Sequence, residues 1–337
     1  MTFKRQRDVN TGDMDQTRST SPVFIIGRQH SGNTLLTTIL GRSPSVFSLR
    51  GEGTFFEHLP QLRQRVPKER ADRVAELIGK GASSPREVSG RLKEVLSSPN
   101  ESAPVSALTL YRQGMEHLAA QCGKTRWAQK ATSYVFYVDA ILNAFPGARL
   151  IFLVRNPLDI AASLKRRGRR HAIPRAMWGW NSGMKRVKQH REAHPENVLR
   201  VRYEDLARDT EATLQRICAF IEIPFDPSIT RVSHVNRSET PYNSSSAARG
   251  INASRVFYYR DVLSEAEEWC VRRLVSRSLL NERYPDLPPI SGRFSAQSLA
   301  TTARILLNGL ASTSGEHWQR LRSNPRHTVA RLWERLW

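Results

Sequence analysis

Residues 27–34, Gly-Arg-Gln-His-Ser-Gly-Asn-Thr, limit what the 337-residue chain can fold into more than any other stretch. The apolar run 23–26 (VFII) precedes them, and Leu35, Leu36, Ile39 and Leu40 follow at helical spacing. A strand, a turn with glycines at 27 and 32 and then a helix let successive backbone N–H groups converge on one anion, with the positive end of the helix behind them. Asn33 stands where a nucleoside-triphosphate-hydrolysing loop of this spacing needs a lysine to reach the β- and γ-phosphates. The pattern predicts an anion cradle without predicting that hydrolysis.

The units that follow repeat the strand-then-helix order. Residues 126–130 are a short strand candidate, and 133–144 have helical spacing that stops at Phe145, Pro146 and Gly147. Residues 149–154 form a continuous apolar strand ended by Arg155, and Pro157 sits where the helix 158–165 begins. A strand at 198–201 leads through Tyr203, Glu204 and Asp205 into a helix at 211–221. Short buried strands alternating with helices predict an α/β fold of three layers, a parallel sheet flanked by helices on both faces. Residues 59–121 read as lid or scaffold helices, broken at 81–85 and 97–104, with no chemical motif.

The ends differ from this body. Residues 1–20 lack apolar periodicity and read as a disordered lead-in to one domain over 21–290. The tail 291–337 has seven arginines against two glutamates, and Val329, Leu332, Trp333, Leu336 and Trp337 share one helical face. That basic helical tail suits packing on the domain, or lying at an anionic membrane surface. Residues 1–21 are polar and mixed in charge, with no apolar core of a signal peptide, and predict a cytoplasmic protein. Cys122, Cys218 and Cys270 show no metal-ligand spacing and are expected to be reduced and buried.

A formal charge of +21 favours an anionic partner, such as a nucleotide, a sulfated or phosphorylated substrate, nucleic acid or an anionic membrane, though many arginines can simply solvate a surface. Within the sequence, Arg155 at the end of its strand and Ser163 in the next helix make a second candidate anion clamp. Two clamps imply a ligand with two separate phosphate groups. The run 165–171 (KRRGRRH) is a further basic element, either a clamp for an anionic group or a solvated face.

These motifs carry a family resemblance. Residues 27–34 resemble the 5′-phosphosulfate loop of sulfotransferases that use 3′-phosphoadenosine 5′-phosphosulfate (PAPS), 155–163 (RNPLDIAAS) their 3′-phosphate motif, and 201–206 (VRYEDL) a segment downstream of it. The similarity runs from about residue 22 to residue 263, with the motifs in the family's order, and is closest to the bacterial and tyrosylprotein-type branch. It implies a P-loop-like fold and transfer of a sulfuryl group from PAPS to an acceptor hydroxyl or amine, leaving adenosine 3′,5′-bisphosphate, with no metal. It implies donor contacts at Arg28, Ser31, Gly32, Asn33, Thr34, Arg155, Ser163 and Tyr203. Glu52 matches the family's catalytic base, and Lys130 the lysine that contacts the leaving group. Relatives carry Lys or Arg where this chain has His30, so His30 is assigned to charge stabilisation, with a role as base the alternative. In 254–263 (SRVFYYRDVL), Arg255 and Arg260 are candidates for a further donor contact, with Arg260 favoured.

The acceptor has no readable code. A carbohydrate hydroxyl is the first choice, with a peptide tyrosine or a lipid as alternatives and nucleic acid disfavoured. Two other classes stay open on the residues alone. A P-loop small-molecule kinase lacks its lysine at Asn33, and its nearest metal-binding aspartate, Asp159, falls inside a helix. A basic binding protein on the same fold, catalytically weakened at His30, would grip anions with steep salt dependence.

Overall fold

The computed structural model describes residues 21–97, 105–231, 251, 253–285, 287, 288, 296 and 299–308. Expectations placed on residues 1–20 and on the Trp333 and Trp337 face lie outside these. Five parallel strands form one sheet: β1 (Val23–Ile25), β2 (Val46–Glu52), β3 (Arg126–Lys130), β4 (Arg149–Val154) and β5 (Val198–Arg202), in the order β2-β3-β1-β4-β5. The helices are α1 (Asn33–Leu40), α2 (Phe55–Leu62), α3 (Pro67–Gly79), α4 (Pro85–Leu96), α5 (Ala107–Gln121), α6 (Val138–Ala144) and α7 (Pro157–Arg166). They continue with α8 (Ile173–Ala193), α9 (Tyr203–Arg208), α10 (Thr210–Phe220), α11 (Tyr259–Val262), α12 (Glu265–Leu274) and α13 (Arg277–Arg283).

Period-two alternation sorts the strand residues between two cores. Val23, Ile25, Ile151, Leu153 and Val201 face α1, α9 and α10, whose Leu36, Ile39, Leu206, Leu214 and Ile217 complete that layer. Phe24, Leu150, Phe152 and Val154 face the larger layer of α2 to α8 and the C-terminal helices, including Phe56, Tyr111, Met115, Leu158 and Trp180. The sheet is therefore covered on both faces, as the alternation of strand and helix predicts.

β2 is the element the sequence did not announce. Ser48, Arg50 and Gly51 interrupt its apolar alternation, and as an edge strand it needs only one good face. Its end is held by backbone: Gly51 N–H donates to Gly81 C=O at 2.8 Å, and a Cβ on Gly51 would lie 2.5 Å from Gly81 Cα. Smaller differences concern 133–144, which divides into a 3-10 turn (Tyr134–Phe136) and α6, and Cys122, which is exposed just after α5 while Cys218 and Cys270 are buried. Tyr134 is tied down there, its hydroxyl accepting from Phe56 N–H at 3.4 Å. The start of the C-terminal tail, residues 299–308, is helical and inserts Ile305 into the larger core.

Candidate functional site

The strand order reverses at β1, with β3 and β2 on one side and β4 and β5 on the other. That switch point is where open α/β sheets bind ligands, and the loop 27–34 leaves β1 there. Gly32 has φ 97°, the left-handed region that glycine reaches without strain, and it starts α1 as its N-cap. A side chain on Gly27 would strike the Asn33 side chain and the Leu153 carbonyl, so both loop glycines are required by their surroundings. Asn33 closes the loop by donating from Nδ2 to Gly27 C=O at 2.5 Å and to Arg28 C=O at 3.2 Å. Its place in the chain is that of the lysine in a nucleoside-triphosphate-hydrolysing loop, but here it braces backbone.

On the β3 and β2 side, register sets Ile25, Lys130 and Glu52 level with one another. Lys130 Nζ lies 3.3 Å from Glu52 Oε2, and Thr132 donates to Oε1 from its backbone N–H and, at 2.6 Å, from its hydroxyl. The carboxylate is oriented on three sides while its side chain remains 38% exposed, which leaves it reachable by an incoming group. Lys130, at 13% exposed, is the more enclosed partner. Thr132 was not foreseen from sequence.

On the β4 and β5 side, Val154 and Arg202 are register partners, so Arg155 and Tyr203 emerge next to each other. The Arg155 guanidinium stacks 4.3 Å from the Tyr203 ring centroid and 5.6 Å from that of Tyr258. It donates to His30 C=O at 3.3 Å, which joins the second motif to the first loop, and to Arg255 C=O at 2.8 Å. Tyr203 also packs on the loop, because a Cβ on Gly32 would come within 2.7 Å of its ring. Ser163 is buried on α7, one helical turn beyond Asp159 and on the same face.

Several buried groups hold this side and went unassigned from sequence. Glu204 accepts from Asn156 N–H at 2.8 Å and from Tyr284 O–H at 3.2 Å, and its burial raises its pKa. Trp180 Nε1–H donates to Arg155 C=O at 3.0 Å. Asp159 accepts from Phe257 N–H at 2.9 Å and Tyr259 N–H at 3.0 Å. Asp159 thus ties a distant segment to α7 instead of standing as a metal ligand. The signal for Asp159 and Glu204 was their place in the helices that follow strands β4 and β5.

His30 has φ 66°, and burial first, then Arg167, Arg155 and Arg169, push its pKa down to about 4. Near neutral pH the ring in this ligand-free arrangement is uncharged, so the cation expected at this place is not His30 itself. The basic run divides: Lys165 and Arg170 pair with buried Glu267 at 2.6 and 2.8 Å, while Arg167 and Arg169 bear on His30. Arg28 runs along α8, where a Cβ on Gly179 would strike its guanidinium, and lies 5.8 Å over Phe136. Arg260 is exposed and faces the Phe257 and Tyr259 rings at 5.8 and 5.9 Å, so of the two C-terminal arginines Arg255 is the one brought to Arg155.

Three buried polar atoms in this site have no hydrogen-bond partner among the described residues: Ser31 Oγ, Asn33 Oδ1 and Arg155 Nε. Buried polar atoms are rarely left so, and the hydroxyl and the guanidinium are donors suited to phosphate oxygens. The residues present fit a bisphosphate. No group of three or more His, Cys, Asp or Glu that could hold a metal occurs among the described residues. None of the described helices is long and apolar enough to cross a membrane.

A glycine loop at the switch point of a parallel sheet, with a buried arginine beside it, defines an α/β protein of P-loop-like architecture. The sequence matches the Sulfotransferase family over residues 22–227, and the chain belongs to that family. The fold is shared with the sulfotransferase domain of an olefin synthase from Synechococcus PCC 7002, at 22% identity and a TM-score of 0.52, over 80% of this chain and 97% of that one. The sulfotransferase domain from the curacin biosynthetic pathway aligns over 85% of this chain and 97% of that one at 19% identity and a TM-score of 0.47. An uncharacterized protein of Aquifex aeolicus (strain VF5) is 24% identical over 253 residues, which is 72% of this chain but 31% of that protein. The chain thus spans about a third of that relative.

Proposed function

We propose that the protein transfers a sulfuryl group from PAPS to an acceptor hydroxyl and releases adenosine 3′,5′-bisphosphate. The observation that carries this reading is the junction of two anion clamps, in which Arg155 reaches both the loop at His30 and the segment at Arg255. The loop, with the first N–H groups of α1, Ser31, Asn33 and Thr34, would hold the 5′-phosphosulfate; Arg155 and Ser163, flanked by Tyr203, would hold the 3′-phosphate. Bound PAPS supplies the activated sulfuryl group. Glu52, fixed by Thr132 and Lys130, takes the acceptor proton. Lys130, together with the positive field of Arg167 and Arg169 across from His30, steadies charge on sulfuryl oxygens. Neutral His30 donates one hydrogen bond there.

The acceptor we favour is a carbohydrate hydroxyl. Arg167 and Arg169 beside the loop support an acceptor that itself carries negative charge, as an acidic glycan does. Incubation with labelled PAPS and pooled glycans, peptides and lipids is expected to label the glycan fraction; label confined to peptide or lipid would reassign the acceptor. Adenosine 3′,5′-bisphosphate is expected to stabilise the fold by about 2.7 kcal/mol at a hundred times its Kd, and ATP much less. Absence of any thermal shift at millimolar bisphosphate would sink the donor assignment.

A further inference from the structure

Residues 253–259 form a strap across the donor side of the site, and its attachments are unusually specific for a segment without a strand or long helix. Asp159 receives two strap amides, Phe257 N–H on Oδ2 at 2.9 Å and Tyr259 N–H on Oδ1 at 3.0 Å. The Tyr258 hydroxyl donates to Asp159 C=O at 3.2 Å. Phe257 is held at φ 57°, a conformation a phenylalanine adopts only when its surroundings impose it. Ahead of this turn, Arg255 places its carbonyl on Arg155 Nη2 at 2.8 Å and its guanidinium 5.4 Å over the Tyr258 ring.

Resting on the donor reading above, we infer that Asp159 is a positioning residue for 3′-phosphate recognition: it latches the strap so that Arg255 aims the Arg155 guanidinium at the ligand. The chemistry follows from what the latch controls. Arg155 leaves its strand at a turn and its guanidinium is directed by two carbonyl acceptors and two aromatic rings, of which the Arg255 carbonyl and the Tyr258 ring belong to the strap. Release of the strap removes that acceptor and the Tyr258 ring together, and the guanidinium loses its orientation. The latch makes none of its own bonds to the loop at 27–34 and reaches it through Arg155, on the His30 carbonyl, so recognition of the 5′ end is disturbed less than that of the 3′-phosphate. A donor-site defect centred on the 3′-phosphate is the signature.

Titration supports the same arrangement. Burial raises the Asp159 pKa to about 6, Glu204 adding to the rise and Arg155 opposing it. Tyr203, Tyr258 and Tyr284 are the other titratable groups that bear on this cluster. A protonated Asp159 accepts the two amides more weakly, so discrimination is expected to decline as pH falls through 6.

The test compares dissociation constants for adenosine 3′,5′-bisphosphate and adenosine 5′-monophosphate by calorimetry. The wild-type chain is expected to bind the bisphosphate more tightly. Asp159→Asn is expected to lower that preference about tenfold or more while leaving monophosphate affinity within about twofold, since one charge-assisted acceptor is lost. Phe257→Pro attacks the latch from the strap, without touching α7, and is expected to do the same. Hydrogen exchange at the Phe257 and Tyr259 amides reports the latch itself and should rise in Asp159→Asn. An unchanged preference in both variants, or equal losses for the two ligands, would overturn the inference. A wild-type chain without any preference would instead overturn the donor reading.

Discussion

The two halves of the site, on either side of β1, are built differently. On the β4 and β5 side, Arg155, Asp159, Glu204 and Trp180 are buried and held by hydrogen bonds to backbone, with Tyr203 buried against the Arg155 guanidinium. On the β3 and β2 side, Glu52 is partly exposed and its contacts number three, two of them from one residue, Thr132. A ligand that is the same in every turnover can be met by a rigid, desolvated clamp, whereas a group that must meet a changing acceptor has to stay open to it. The difference separates binding from chemistry, and mutations should respect it.

The largest expected effect is on the rigid half. Arg155→Gln removes a buried guanidinium that bridges the loop and the strap, and bisphosphate affinity should fall about 100-fold or more by calorimetry. Next comes the open half: Glu52→Gln should lower kcat by about two to four orders of magnitude while bisphosphate binding stays within a few-fold. Equal effects of both variants on binding and turnover would abolish the division proposed here.

A smaller effect concerns pH. His30 has a folded pKa near 4 against 6.5 when unfolded, so between those values the unfolded chain binds the extra proton. Its contribution to stability is complete above pH 6.5 and is lost as pH falls toward 4. Denaturant titrations should therefore show the wild type losing stability relative to His30→Asn as pH falls from 6.5 toward 4, with a constant difference between the two above pH 6.5. The smallest effect belongs to Arg260→Ala, expected to change donor affinity by less than about twofold, because that arginine is exposed and rests on two strap rings.

What could be read from sequence follows from what each motif depends on. The loop and β4 with Arg155 were legible because glycine spacing, an apolar run and Pro157 are local signals. β2 was not, since an edge strand with Gly51 inside it lacks a clean alternation and exists through its pairing with β3. Asp159, Glu204 and Thr132 were illegible as supports because their roles are defined by partners 48 to 100 residues away. His30 was legible in position but not in charge: only the folded arrangement sets Arg155, Arg167 and Arg169 around it. Arg28, Ser31, Thr34 and Ser163 remain donor contacts by proposal.

The contact between Gly51 and Gly81 has a mechanical consequence. Two residues without side chains meet there through a 2.8 Å backbone hydrogen bond, one beside Glu52 and the other just past the end of α3. No rotamer is available to absorb a displacement. Movement of the helices α2 to α5 must either break that bond or carry the strand end with it, so those helices and the Glu52 carboxylate are geared together.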